Sequence, residues 1–494
     1  MFQQKTLISL NMHNSTLIEI LKTFSNQEMK EFSIFIQSPY FNTNQSVIKL
    51  FEQIRKYHPK FDEKNLNKKL LFEKAFGKVR YGESFMGMTI SRLMELAKEF
   101  MIQKNLQRNN LNKDTVLLDE LNFRELHGLM LKSIKSLEKK LVKQKAKEAD
   151  SYLAKYRLEY FKNEVKANDT KLITYKDTLD EKLMLEQQSL NIFFFINSLK
   201  FCQYFLNQRT FVVNAKGYPD FMNSIFDYLK QNSEYLKIPA LKVYYNICLM
   251  LITNEEKYFF ELKKMLFESK DSISYNEKFN MTVLLRNYAQ KKFNDGREEF
   301  INYIIDFIKY SIKNDLLSVS QHGRYISEMR FMTIVWAGIR SNEIEWVENF
   351  IKKFKDRIEP DKKQYVLAYF LACIEFDREN FSGALEKLVK SGPIKNVFYK
   401  SAIKQMTIMI YYELGWFVQA SELLDSYVHF VKTNKLLPDM YIDKCNSFIG
   451  FFSRLLKLKN KAGNNSFEIS KLISELETTP EKWLLKKAKE LNNK

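Results

Sequence analysis

FSGALEKL at 381–388 and FVQASELL at 417–424 lie over each other at a spacing of 36 residues. Phe381, Ala384 and Leu388 fall in the same columns as Phe417, Ala420 and Leu424, and Ala372 falls with Ile408. A poorer copy stands 37 residues earlier, with Val335, Ile344, Val347 and Ile351 in those columns. Each copy reads as helix, short turn, helix. A period of this size is the signature of stacked helical repeats, because one helix pair cannot bury its apolar face alone. The stretch Phe331–Lys432 therefore sets the expected fold class, all-α, and the rest of the chain is read outward from it.

Composition agrees. Of 494 residues only 13 are Gly and 8 are Pro, too few for the many tight turns of a β-rich or Rossmann-like chain. Hydrophobic residues make up 45%, enough for a packed core. The formal charge is +19, which favours polyanions. Lys supplies most of it, however, and Asn, Ile, Phe and Tyr are abundant too, the set that AT-rich codons produce. Arg, the better bidentate phosphate reader, is sparse.

Outward from the repeats, the first 110 residues read as an N-terminal helical module. Ser25-Asn26-Gln27-Glu28 is a capping box ahead of the stripe Phe32, Phe35, Ile36. Ser38-Pro39 ends that helix. Val47, Leu50, Phe51 and Ile54 mark a second helix, stopped by His58-Pro59. Leu66, Leu70, Leu71 and Phe76 mark a third, ended at Gly77. Ile90, Leu93, Ala97, Phe100 and Met101 mark a fourth. Residues 111–330 read as an irregular part with long helices, broken near Gly128 and Ala149, and with looser pairs whose second helices are Glu255–Leu266 and Arg297–Tyr310. Leu190–Leu206 is apolar nearly all round, which predicts packing on several sides. Arg209–Val213 reads as a short extended piece and Gly217-Tyr218-Pro219 as a turn. Residues 331–494 hold the clear repeats and C-terminal helices. The stretch 462–466 reads as a loop, and Thr479-Pro480-Glu481 as the start of a last helix.

Residues 331–432 resemble tetratricopeptide-type helical repeats. The alanines 372, 384 and 420 fall where that family brings its helices close, Gly415 sits in the turn, and Phe381 and Phe417 follow it. Pro360 and Pro393 separate successive pairs. The Trp-Leu-Gly-Tyr start of that family is missing, and Val347 stands at the third small position. The resemblance implies an irregular tetratricopeptide-like α-solenoid but no carboxylate clamp for peptides. Through Ser38-Pro39-Tyr40-Phe41-Asn42 and the helix around Leu190–Cys202, the whole chain also resembles an uncharacterised all-helical bacterial family, which implies no activity.

Chemistry-bearing motifs are missing. There is no HExxH pair, Gly-rich phosphate loop, GxSxG elbow or kinase set. His13, His58, His127, His322 and His429 are isolated, and Cys202, Cys248, Cys373 and Cys445 form no CxxC pair. No enzyme, metal or cofactor is expected, and the cysteines read as buried, reduced thiols. No run is long and apolar enough for a signal peptide or a bilayer span, so a cytoplasmic protein without membrane insertion is expected.

Two candidate surfaces remain. Lys132, Lys135, Lys139, Lys140, Lys143, Lys145 and Lys147 stand against one acid, Glu138, on a helix whose other side carries Ile134, Leu137 and Leu141. This face suits a polyanion such as nucleic acid, or it is simply a solvated face in a Lys-biased chain. Trp346 and Trp416 are the candidate aromatic anchors for a protein or peptide partner. The leading expectation is a non-catalytic protein-interaction scaffold using the concave face of the array. The alternative is nucleic-acid association through the Lys-rich helix.

Overall fold

The computed structural model describes residues 11–12, 15–61, 66–77, 79–168, 179–209, 220–269, 272–318, 323, 325–460, 466–479 and 481–492. The expected extended piece and turn at 210–219, most of the loop at 462–466, and Pro480 lie outside them. Among the described residues the regular elements are helices, and no strand forms. The fold is all-α. The chain divides into two compact units, one made of Met1–Lys143 with Leu153–Ser189 and one of Gln144–Tyr152 with Leu190–Lys494.

The first unit opens with α1 (Thr16–Thr23), α2 (Asn26–Gln37), α3 (Gln45–Ile54) and α4 (Lys68–Phe76), followed by the long α5 (Glu83–Arg108). The Ser25 capping box forms in full: Ser25 Oγ accepts from the Glu28 N–H, and the Glu28 carboxylate accepts from the Ser25 N–H. Ser38 caps the end of α2, and Gly77 ends α4 with φ +75°. α1, α2 and α3 all pack on α5. Phe32 is the centre of that core, 5.0 Å from Phe51, 5.3 Å from Phe100 and 5.6 Å from Phe24, ring to ring. Met101, expected in the α5 stripe, points to solvent instead. The stripe at 93, 97 and 100 is already continuous, and 101 falls about 100° beyond it.

α6 (Asn110–Phe123) and α7 (His127–Lys143) make a hairpin. α8 (Ala149–Asn168) follows. Beyond Leu153 it closes a second small core, where Leu158 and Phe161 meet Leu118, Ile134 and Leu137. The break expected near Gly128 falls at 124–126, with Glu125 in the left-handed region (φ 56°).

The second unit takes up α9 (Leu179–Arg209) from Leu190 onward, then α10 (Asp220–Gln231) and α11 (Pro239–Thr253). α9 corrects one expectation. Ile192, Ile196, Leu199 and Cys202 are buried, but Phe194, Phe201 and Tyr204 are exposed. The helical period gathers the buried set on one side, and only that side meets the core. Pairs then follow: α11 with α12 (Glu256–Glu268), α13 (Tyr275–Asn294) with α14 (Phe300–Lys313), and α15 (Glu328–Arg340) with α16 (Ile344–Phe354). Next come α17 (Pro360–Asp377) with α18 (Phe381–Val389), and α19 (Val397–Glu413) with α20 (Phe417–Thr433). α21 (Asp439–Asn460), α22 (Ser466–Glu477) and α23 (Lys482–Asn492) close the chain. From α11 to α23, most helices pack on the next one. The first helices of successive pairs also touch, α15 on α17 and α17 on α19.

Most columns read from the sequence are buried, while the one formed by Ile344, Phe381 and Phe417 is half-buried. Val347, Ala384 and Ala420 are fully buried, as are Val335, Ala372 and Ile408. Five turns inside pairs share one device, a residue with positive φ: Asn254, Gly296, Asn342, Glu379 and Gly415. Such a residue lets the backbone leave the first helix and reverse into the second.

Candidate interaction surfaces

α7 carries the Lys-rich face. The sequence places apolar residues every third or fourth position up to Leu141. Beyond it Gln144, Lys145 and Glu148 offer nothing to bury, and the helix ends at Lys143. Lys145 and Lys147 therefore lie past the helix rather than on it. Lys132, Lys135, Lys139, Lys140, Lys143, Lys145 and Lys147 are all exposed. Lys140 is committed to Asp114 at 2.6 Å.

Trp416 is the N-cap residue of α20 and is 44% exposed. Its ring centroid is 5.7 Å from that of Tyr411. With Leu385, Val389 and Leu414 it lines an open, mostly apolar notch of about 380 Å³, bordered by Glu386 and Lys390. Val389 is 78% exposed at its rim. Trp346 sits differently. It is half-buried, its ring centroid 5.9 Å from that of Phe350 and its ring over Gly338 of α15. Trp483 is half-buried and donates to a Glu413 carboxylate oxygen at 2.7 Å.

A third surface has no trace in the sequence. Arg340 ends α15, Lys444 lies on α21 and Glu481 stands just before α23. These three are far apart in the chain but close enough to perturb one another. Arg340 and Lys444 are exposed, yet desolvation pulls both pKa values down. Burial pushes the Glu481 carboxyl up, and Lys444 and Arg340 oppose that shift. Tyr369, fully buried, belongs to the same surroundings. Burial raises the nearby Cys373 thiol to about 12, so it keeps its proton at neutral pH and is a poor nucleophile.

Glu277 was also missed. It is the third residue of α13, and its N–H donates to Ser274 Oγ at 3.2 Å. Its side chain is turned inward, 3% exposed. Burial, then the nearby Glu148, raise its pKa to about 7, while Lys200 and the Ser274 backbone work the other way. One carboxyl oxygen has no hydrogen-bond partner among the described residues. The sequence pattern Ser-x-x-Glu reads as an ordinary solvated cap, which hides the burial.

All four cysteines are buried and in thiol form, and the fold brings Cys202 and Cys248 together. Among the described residues, no group of three or more His, Cys, Asp or Glu is placed to hold a metal ion, and no helix is long and apolar enough to cross a membrane. Comparison with protein-family models, with curated proteins and with solved structures gives no match for this chain.

Proposed function

We propose that the chain is a non-catalytic protein-binding scaffold of the cytoplasm, an N-terminal helical module followed by an irregular tetratricopeptide-like α-solenoid. Successive pairs with a left-handed residue in each turn, and first helices touching first helices, support the stacked reading. On that reading α15, α17 and α19 line the inner, concave side. The single observation that carries the binding function is Trp416, whose notch is lined by α18 and the α19–α20 turn rather than by those inner helices. A half-exposed Trp in an apolar notch with a charged rim is the arrangement in which one aromatic supplies much of the energy of a protein contact. The charged cluster of Arg340, Lys444 and Glu481 offers polar contacts to a partner. Affinity purification from a native lysate tests the proposal. A stoichiometric protein partner is expected with the wild type and is lost with Trp416→Ala. Repeated recovery of the chain alone contradicts it.

A second reading has its own observation. Lys132, Lys135, Lys139 and Lys143 are exposed and make no ion pair among the described residues, so this face is free to track the phosphates of a nucleic acid.

A further inference from the structure

We propose that Arg286 and Arg330 form a binding site for an oxyanion, a phosphate or carboxylate group, between α13 and α15. The site does not depend on the scaffold reading.

Tyr275, Phe279 and Arg286 lie on one stripe of α13, Arg286 about two turns after Phe279. The Arg330 guanidinium of α15 rests over the Phe279 ring, 4.0 Å from its centroid. Arg286 shares that stripe with Phe279, so its side chain leaves α13 on the side where the Arg330 head lies. The two guanidiniums feel each other. Burial lowers each to about 10, and Arg286 adds to the lowering of Arg330. Both remain cations at neutral pH.

Among the described residues, neither pairs with a carboxylate. The hydrogen bond of Arg286 goes to the amide oxygen of its neighbour Asn287 at 3.3 Å, and Arg330 donates to the Leu316 carbonyl at 3.0 Å. The nearby carboxylates are engaged or turned away. Glu277, the one acid on α13, is nine residues before Arg286 and so on the opposite side of the helix. Glu328, the one acid on α15, is held by Asn396 at 2.7 Å and by the Tyr365 hydroxyl. Asp306 of α14 pairs with Lys263 at 3.4 Å. Asp315, the only acid in the sequence from 314 to 327, pairs with Arg357 at 2.7 Å. Charges taken out of water are normally paired. Two half-buried guanidiniums on facing stripes of α13 and α15, with no carboxylate on either among the described residues, suit an anion, since guanidinium geometry matches planar carboxylates and phosphates bidentately.

Thermal unfolding of the full chain, titrated with sodium phosphate or sodium acetate against sodium chloride at matched ionic strength, tests the site. A saturable rise in midpoint with phosphate or with acetate, beyond that of chloride, is expected, and the anion that acts identifies the group bound. Arg286→Gln should fold at least as well, having lost an uncompensated charge, and should abolish the rise. Arg286→Lys keeps the charge without the fork and should need at least tenfold more anion. No rise beyond chloride with either anion, or an unchanged rise in Arg286→Gln, overturns the proposal.

Discussion

Lys487 of α23 lies 2.9 Å from Glu413 at the end of α19, and both side chains are about nine-tenths buried. Trp483, one turn earlier on α23, donates to the same carboxylate. The last helix is thus tied to the end of α19, some seventy residues back. On the same helix Lys486 pairs with Glu379, in the turn between α17 and α18, at 3.0 Å, but in the open. Burial decides which pair matters. Glu413→Ala leaves the buried Lys487 with only the more exposed Glu490, 2.9 Å away, and takes the acceptor from the Trp483 N–H, so it should cost about 3 kcal/mol. Lys486→Ala should cost about 0.5 kcal/mol or less. Urea denaturation of the two variants checks the contrast. The pH dependence has a definite sign. Burial works to lower the Lys487 pKa, but Glu490 and Glu413 outweigh it and the net shift is upward. Its contribution is therefore complete below the ordinary Lys pKa and is lost as pH rises through the raised value.

Glu277 has the opposite chemistry. An acid raised to about 7 keeps a proton in the folded state that the unfolded chain has already released. Stability should fall as pH rises from the ordinary carboxyl range to about 7, and then level off. The slope contributed by this one group is at most about 1.4 kcal/mol per pH unit. Glu277→Gln should remove that slope and be the more stable protein at pH 8, with little difference at pH 4. Urea midpoints across that range measure it. Equal midpoints for the two proteins at every pH contradict the assignment.

Two glycines separate packing from backbone geometry. A Cβ on Gly338 would stand 2.4 Å from Val347 Cγ2 and 3.1 Å from the Trp346 ring. Gly338→Ala should cost about 1–3 kcal/mol by overpacking α15 against α16. At Gly415 a Cβ has open space, but φ is +76°. Gly415→Ala should cost about 1–2 kcal/mol through the left-handed backbone alone. Pairing each with its neighbour's truncation distinguishes the causes: Val347→Ala should partly rescue Gly338→Ala and leave Gly415→Ala unrelieved.

If the α7 face binds nucleic acid, affinity should drop steeply between low and moderate salt. Changing Lys135, Lys139 and Lys143 to Gln should flatten that slope by about three units of log affinity per log salt. Absence of retention on a nucleic-acid column at low salt contradicts this second reading.

Much of the helical content was legible because it depends on local rules. The Ser25 box, the stop at Ser38, the turn at Gly77 and the second helices of the pairs at 255–266 and 297–310 follow from caps and periodicity that act within a few residues. The columns at 384 and 420 were legible because the spacing repeats. What remained hidden depends on distant parts of the chain meeting. Nothing local says that Phe201 faces solvent, since its neighbours are as apolar as a core helix. Nothing local turns Glu277 inward, or brings Arg340 to Lys444 and Arg286 to Arg330. Of the two tryptophans singled out, residue spacing could not say that Trp346 covers Gly338 while Trp416 opens onto a notch.

The most direct test of the scaffold account uses fluorotryptophan. The chain has four tryptophans, Trp336, Trp346, Trp416 and Trp483, and so four fluorine resonances, assigned by single Trp→Phe changes. On adding the partner recovered by affinity purification, the Trp416 resonance should shift most, while that of Trp346, held over Gly338, stays in place. A stable complex that leaves the Trp416 resonance unmoved contradicts the account.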